Sequence, residues 1–159
     1  MRVIVPGSFD PVTFGHLEII RKAAQKYQEV FVVVFINPEK TYTFSTEERV
    51  KMLLLATEGL DNVIVSYSPG LVIDYMREHN IQKIVKGWRN AKDLEYEKIQ
   101  AQWNFSHGGY ETELLECDEE FKSISSTLVR ERINESKPID KLVPKNVSEY
   151  IKSINKTCF

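Results

Sequence analysis

Cysteine is scarce. Cys117 and Cys158 are the only two in 159 residues, too few and too far apart for a disulfide framework. Neither belongs to a Cys-x-x-Cys, and the three histidines, His16, His79 and His107, stand at no metal-ligand spacing. A protein-held metal is therefore not expected. No apolar run approaches the roughly 18 residues of a membrane span. The opening Met1-Arg2-Val3-Ile4-Val5-Pro6 lacks the long apolar stretch of a signal peptide. The expectation is a soluble, cytoplasmic protein with no membrane partner. Charge of one sign is also lacking: 21 Lys+Arg face 23 Asp+Glu, for a net charge of -2. A dedicated nucleic-acid binder carries a basic footprint, so nucleic acid is not an expected partner. Local basic clusters suit a small anionic ligand better.

What is present is ordinary globular material, 42% hydrophobic and 28% charged, which argues against disorder. The length favours one domain, 1–159, able to bury a core without staples. Short apolar runs alternate with helical patterns. Val3-Ile4-Val5, Val30 to Ile36, Val63-Ile64-Val65, Lys83-Ile84-Val85 and Glu113-Leu114-Leu115 read as strands. His16 to about Tyr27 reads as an amphipathic helix. Ser45-Thr46-Glu47-Glu48 is a capping box opening a helix that stops by Gly59. Further helices are expected over Leu71 to His79, Asp93 to about Phe105, from Ser125 or Ser126 to about Asn134, and from Pro144 onward. The Cys158-Phe159 end is expected to be loosely held. The fold class is α/β: a Rossmann-like, doubly wound sheet of about five parallel strands flanked by helices. In such sheets ligands bind beyond the carboxyl ends of the strands, at the topological switch point.

The chemistry is therefore sought in the loops after strands one, two and four. After strand one comes Pro6-Gly7-Ser8-Phe9-Asp10-Pro11-Val12-Thr13-Phe14-Gly15-His16. A helix opening at Gly15-His16 offers free amides and a partial positive charge to a phosphate. His16 can add a hydrogen bond to a phosphate oxygen. Lys40 follows strand two, where an ammonium can meet a phosphate, although most lysines are simply solvated. Lys86 ends strand four, and Arg89 follows a flexible Gly87; two cations so close suit an anion. Glu97 lies on a charge-rich helix and on sequence alone fits a solvated face. Ser125, Ser126 and Thr127 combine hydroxyls with helix N-terminal amides, as a second anion site or as plain capping.

Gly7-Ser8-Phe9-Asp10-Pro11 followed by Thr13-x-Gly15-His16 resembles the nucleotidyltransferase superfamily, with its (His/Thr)-x-Gly-His signature. Three further segments narrow the resemblance to the phosphopantetheine adenylyltransferases. They are Lys40 ahead of Phe44-Ser45-Thr46-Glu47-Glu48-Arg49, Lys86-Gly87-Trp88-Arg89 with Asp93-Leu94-Glu95-Tyr96-Glu97, and Ile124-Ser125-Ser126-Thr127-Leu128-Val129-Arg130. The resemblance covers almost the whole chain, through Leu142-Val143-Pro144. It implies transfer of the adenylyl group of ATP to 4'-phosphopantetheine, with pyrophosphate leaving and no covalent enzyme intermediate. His16 then stabilises the transition state and holds ATP. Lys40 and Lys86 bind phosphopantetheine, Lys40 near the reacting phosphates. Ser8 contacts both substrates, Phe9 the nucleotide, and the Val72 backbone meets the pantetheine arm. Gly87, Trp88, Arg89, Glu97 and the run Lys122, Ser123, Ile124, Ser125, Ser126, Thr127, Leu128 line the ATP side. The resemblance further implies Mg²⁺ carried on the ATP phosphates, a homohexamer, and coenzyme A as a feedback ligand.

Three positions depart from the family's usual residues. Lys86 stands for arginine, keeping the charge and losing the bidentate fork. Lys122 stands where an aromatic is common, and Trp88 where Leu or Ile is usual; Trp88 reads as a packing or surface aromatic. Two other readings stay open. One changes the acceptor, as in a nicotinate mononucleotide adenylyltransferase or a cytidylyltransferase. The other is a non-catalytic nucleotide-binding module, which would bind ATP and release no pyrophosphate.

Overall fold

A computed structural model describes residues 1–154; the Cys158-Phe159 end lies outside them. Five strands form one all-parallel sheet: β1 (Arg2–Gly7), β2 (Glu29–Phe35), β3 (Val63–Ser68), β4 (Lys83–Trp88) and β5 (Glu111–Glu116). Their order across the sheet is β3-β2-β1-β4-β5. The helices are α1 (Phe14–Lys26), α2 (Thr46–Ala56), α3 (Val72–Glu78), α4 (Ala91–Gly108), α5 (Ser126–Asn134) and α6 (Lys145–Ile154), with one 3₁₀ turn at Glu119–Phe121.

The central strand shows why the sequence folds this way. Successive side chains of a strand face opposite sides. Val3 and Val5 join the larger core, with Ile20 of α1, Leu53 of α2, Val129 of α5 and Ile151 of α6. Ile4 points the other way, into a smaller core with Phe31, Tyr75, Met76 and Ile84. A strand covered on both faces must be apolar at every position, and Val3-Ile4-Val5 is. The sheet is thus doubly wound, and the order in which strands are added reverses between β1 and β4, all strands staying parallel. The loops leaving those two strands part there and open a crevice at their carboxyl ends.

The elements match their expected positions, with instructive differences at the ends. β4 runs on through Trp88, so Gly87 is a strand residue opposite Leu115 and not a flexible loop residue. A Cβ on Gly87 would lie 2.5 Å from Ile19 Cγ1, so glycine lets α1 close onto the strand. α2 ends at Ala56, before Gly59, with Thr57 as its C-cap, whose amide and hydroxyl both donate to the Leu53 carbonyl, at 3.0 and 2.8 Å. Pro144 precedes α6 and supplies its carbonyl to the Ser148 amide at 2.9 Å. α4 starts at Ala91 because Asn90 caps it, accepting the Asp93 amide at 2.9 Å.

Candidate active site

The α1 terminus is a capping box whose closing residue is a histidine. Thr13 is the N-cap, and its hydroxyl accepts the His16 amide at 3.4 Å. In return the Thr13 amide donates to His16 Nδ1 at 3.0 Å. The Thr-x-x-His spacing is thus the familiar Ser/Thr-x-x-Glu box with imidazole in place of carboxylate. An amide proton can only be received by an unprotonated nitrogen. Nδ1 is therefore the acceptor, and the neutral ring carries its proton on Nε2. Burial first, then the Lys86 and Arg89 charges, lower the His16 pKa to about 4. At neutral pH the group is an uncharged donor. Among the described residues no protein group meets Nε2. The Phe9 ring stands edge-on to the imidazole, centroids 5.1 Å apart.

His16 opens on a cavity of about 360 Å³ at the switch point. Ser8 and Phe9 reach it from the β1 loop, Lys86, Gly87 and Arg89 from β4 and its end, Glu97 from α4, and Ile124 to Thr127 from the α5 terminus. Each of its longer cations is held by a carboxylate. Arg89 Nε lies 2.8 Å from Asp93 Oδ2, Lys86 Nζ 3.5 Å from Glu97 Oε1, and Arg130 Nη1 4.0 Å from Asp10 Oδ2. Burial pushes Asp93 up, but the Arg89 contacts outweigh it and hold the carboxyl below its ordinary range. Burial raises Glu97 despite Lys86 beside it. Glu97 turns inward, only 12% exposed at its side chain, against the solvated face read from the sequence.

A second cavity of about 320 Å³ adjoins the first. Val72 and Ile84 line it with Gln100, Ala101 and Asn104 of α4. Pro6, Gly7, Ser8, Lys86 and Glu97 line both. The junction of two cavities of similar size is therefore a lysine, a carboxylate and a glycine-serine turn.

A family model described as cytidylyltransferase-like matches residues 4–132. A phosphopantetheine adenylyltransferase of Clostridium novyi is 40% identical over 159 residues, covering 98% of this chain and 99% of the relative. The Thermobifida fusca protein of that name is 40% identical over 152 residues, 96% of this chain and 93% of its own. That of Symbiobacterium thermophilum is 42% identical over 145 residues, 91% and 90% of the two chains. The chain belongs to the phosphopantetheine adenylyltransferase family.

The remaining residues expected from the family resemblance fall into two groups. Ser125, Ser126 and Thr127 line the first cavity, but their hydroxyls are engaged. Ser125 accepts the Leu128 amide at 3.1 Å, Ser126 donates to the Pro11 carbonyl at 2.7 Å, and Thr127 accepts from Arg130 at 3.1 Å. What this terminus offers an anion is mainly its backbone amides. Lys40, Trp88, Lys122, Ser123 and Leu128 line neither cavity. Lys40 is exposed in the loop between β2 and α2. Lys122 turns to Glu116 at 2.6 Å and Glu119 at 3.3 Å, its Nζ 6.0 Å from the Trp88 ring centroid. That aromatic is half-buried, as a packing residue would be.

Sequence reasoning left out Asp10, Asp93, Cys117 and Arg130 from the first cavity and Gln100, Ala101 and Asn104 from the second. A signal existed for the α4 set. Positions 93, 97, 100, 101 and 104 recur at three- and four-residue steps, one stripe of a helix. Asp10 had none: its carboxylate caps a loop 33 and 34 residues away, taking the Thr43 and Phe44 amides at 2.9 Å each.

Proposed function

We propose that this chain transfers the adenylyl group of ATP to 4'-phosphopantetheine, forming dephospho-coenzyme A and pyrophosphate. The observation that carries the reading is the meeting of two adjoining cavities at Ser8, Lys86 and Glu97, beside an uncharged His16 donor. A two-substrate transfer needs such a junction. The cavity running from His16 to the α5 terminus suits ATP, and the one running to Val72 and α4 suits the acceptor's arm.

The acceptor phosphate is already a nucleophile, so the protein forms no covalent bond to substrate. A phosphate oxygen attacks the α-phosphorus of ATP, one phosphorus–oxygen bond forms, and the bond to the bridging oxygen of pyrophosphate breaks. Catalysis is then positioning and charge stabilisation. His16 Nε2–H donates to the α-phosphate oxygen on which charge accumulates, and because the ring stays neutral it does not lose its proton. Lys86 leaves Glu97 for the acceptor phosphate, assisted by Lys40 from its loop. Arg89 and the α5 amides hold the nucleotide phosphates.

Magnesium enters this reading as part of the nucleotide. The cavity's carboxylates, Asp10, Asp93 and Glu97, are each paired with a cation of the same cavity, and among the described residues no three of His, Cys, Asp or Glu gather as ligands. Mg²⁺ carried on ATP neutralises its phosphate charge. The reading also includes a homohexamer, a cytoplasmic location and coenzyme A as a feedback ligand. The exposed Tyr96, Ile99, Trp103 and Phe105 on α4 support self-association. Among the described residues no helix is long and apolar enough to cross a membrane.

Pyrophosphate release with ATP, Mg²⁺ and 4'-phosphopantetheine tests the reaction, with nicotinate mononucleotide and no acceptor as controls. Release only with phosphopantetheine, with dephospho-coenzyme A identified by mass, is the expected result. Release only with nicotinate mononucleotide would reassign the acceptor. ATP binding without release would leave a binding module.

A further inference from the structure

Among the described residues Arg49 is the largest fully buried side chain, 1% exposed, and no carboxylate pairs with it. A buried, permanently charged guanidinium without a counter-ion is costly. Its contacts show what it holds. Nη1 donates to the Ser8 carbonyl at 2.9 Å, Nη2 to the Thr46 hydroxyl at 3.4 Å, and the Tyr42 ring lies 3.9 Å away. Nε has no partner.

The Ser8 carbonyl belongs to the Ser8–Phe9 peptide, which is planar and trans, so its N–H points opposite to its oxygen. Both residues line the first cavity. Among the described residues the Phe9 N–H finds no protein acceptor. Phe9 also sits at φ 49, a left-handed conformation that an aromatic residue seldom adopts and that the surroundings must impose. These facts share one explanation. We infer that Arg49 is a positioning residue, which by gripping the Ser8 carbonyl holds the Phe9 N–H toward the nucleotide cavity as a donor to an anionic oxygen. The cation on the carbonyl also polarises the peptide and strengthens its N–H. In this view the unpaired charge is the device: a carboxylate beside Arg49 would cancel that polarisation.

The inference deepens the proposed function, and its test is made separable by using inorganic pyrophosphate as the probe. Arg49→Met removes the charge at similar volume, and Arg49→Lys restores it. Both are compared with the native chain by thermal melting, by pyrophosphate affinity, by kcat and KM, and by the Phe9 amide signal in protein labelled with ¹⁵N-phenylalanine. The native Phe9 amide should shift downfield on adding pyrophosphate. Arg49→Met should lose that shift, bind pyrophosphate about tenfold more weakly and lower kcat by a similar factor, as expected for one charge-assisted hydrogen bond. The KM for phosphopantetheine should stay put, and Arg49→Lys should recover most of the loss. Unchanged pyrophosphate affinity in a folded Arg49→Met, or losses in both variants that merely track melting temperature, would overturn the inference. If Arg49→Met does not fold, the native amide decides alone: no shift with pyrophosphate ends the proposal. A native amide that responds in a protein without turnover would keep this inference and overturn the proposed function.

Discussion

Two helices of this protein begin with the same device and put it to different uses. At α2, Ser45 accepts the Glu48 amide at 3.1 Å and Glu48 accepts the Ser45 amide at 2.8 Å. At α1, Thr13 and His16 make the same reciprocal pair. A carboxylate that closes a capping box has only acceptors left over. An imidazole that closes one with Nδ1 has an N–H left over on the far side of the ring. The α2 box lies on the surface beside a loop, and the α1 box lies at the switch point against a cavity. The comparison teaches that a local stabilising motif becomes chemical equipment through one change of residue type and one change of address.

The largest way to break this comparison is His16→Ala. Turnover should fall at least about 100-fold, the usual order for losing one preorganised charge stabiliser, while circular dichroism shows an intact fold. Near-normal pyrophosphate release would remove the role given to Nε2. His16→Gln sharpens the point. Its side-chain oxygen can take the Thr13 amide and its NH₂ can still donate, so it should keep about ten times the activity of the alanine variant.

Lys40→Ala touches the exposed loop that leads into the α2 box. It should raise the KM for phosphopantetheine about tenfold, one charge-assisted contact, and leave that for ATP unchanged. A selective loss of ATP affinity would move Lys40 to the nucleotide.

Acid tests the α1 box as well. The folded His16 pKa is depressed to about 4 from the ordinary 6.5. Between those values the unfolded chain binds the extra proton, so this group's contribution to stability is complete above about pH 6.5 and is lost as pH falls toward 4. Over the same window the rate should show no imidazole titration. A kcat/KM profile with an acid limb near 6.5 abolished in His16→Gln would contradict the neutral donor.

The smallest effect belongs to the purely structural box. Ser45→Ala should cost about 1 kcal/mol in denaturant unfolding and leave kcat within about twofold.

Much of this was legible because it is local. Apolar runs bounded by turn residues marked all five strands, and the Ser45–Glu48 box was readable by its spacing. His16 was legible as a residue at a helix start after a buried strand. Its tautomer was not, because that depends on a hydrogen bond formed only when Thr13 takes the N-cap conformation. Gly87 looked like a flexible loop residue because glycine signals freedom in isolation, whereas here it is required by Ile19 pressing from α1. Glu97 looked solvated because a helix's charged face is ambiguous until a neighbouring strand places Lys86 beside it.

By itself, then, the sequence determined which segments become strands and helices, since burial on both faces and reciprocal caps depend on residues a few positions apart. It also carried the family, because four motifs in one order survive without any geometry. Only the tertiary structure decided which charges meet. Asp10 with a loop more than thirty residues on, Arg49 with the Ser8 carbonyl, and Lys86 with Glu97 across two elements are pairings made by the order β3-β2-β1-β4-β5. Contacts of that kind depend on where the sheet reverses, and that is set by the packing of the whole chain.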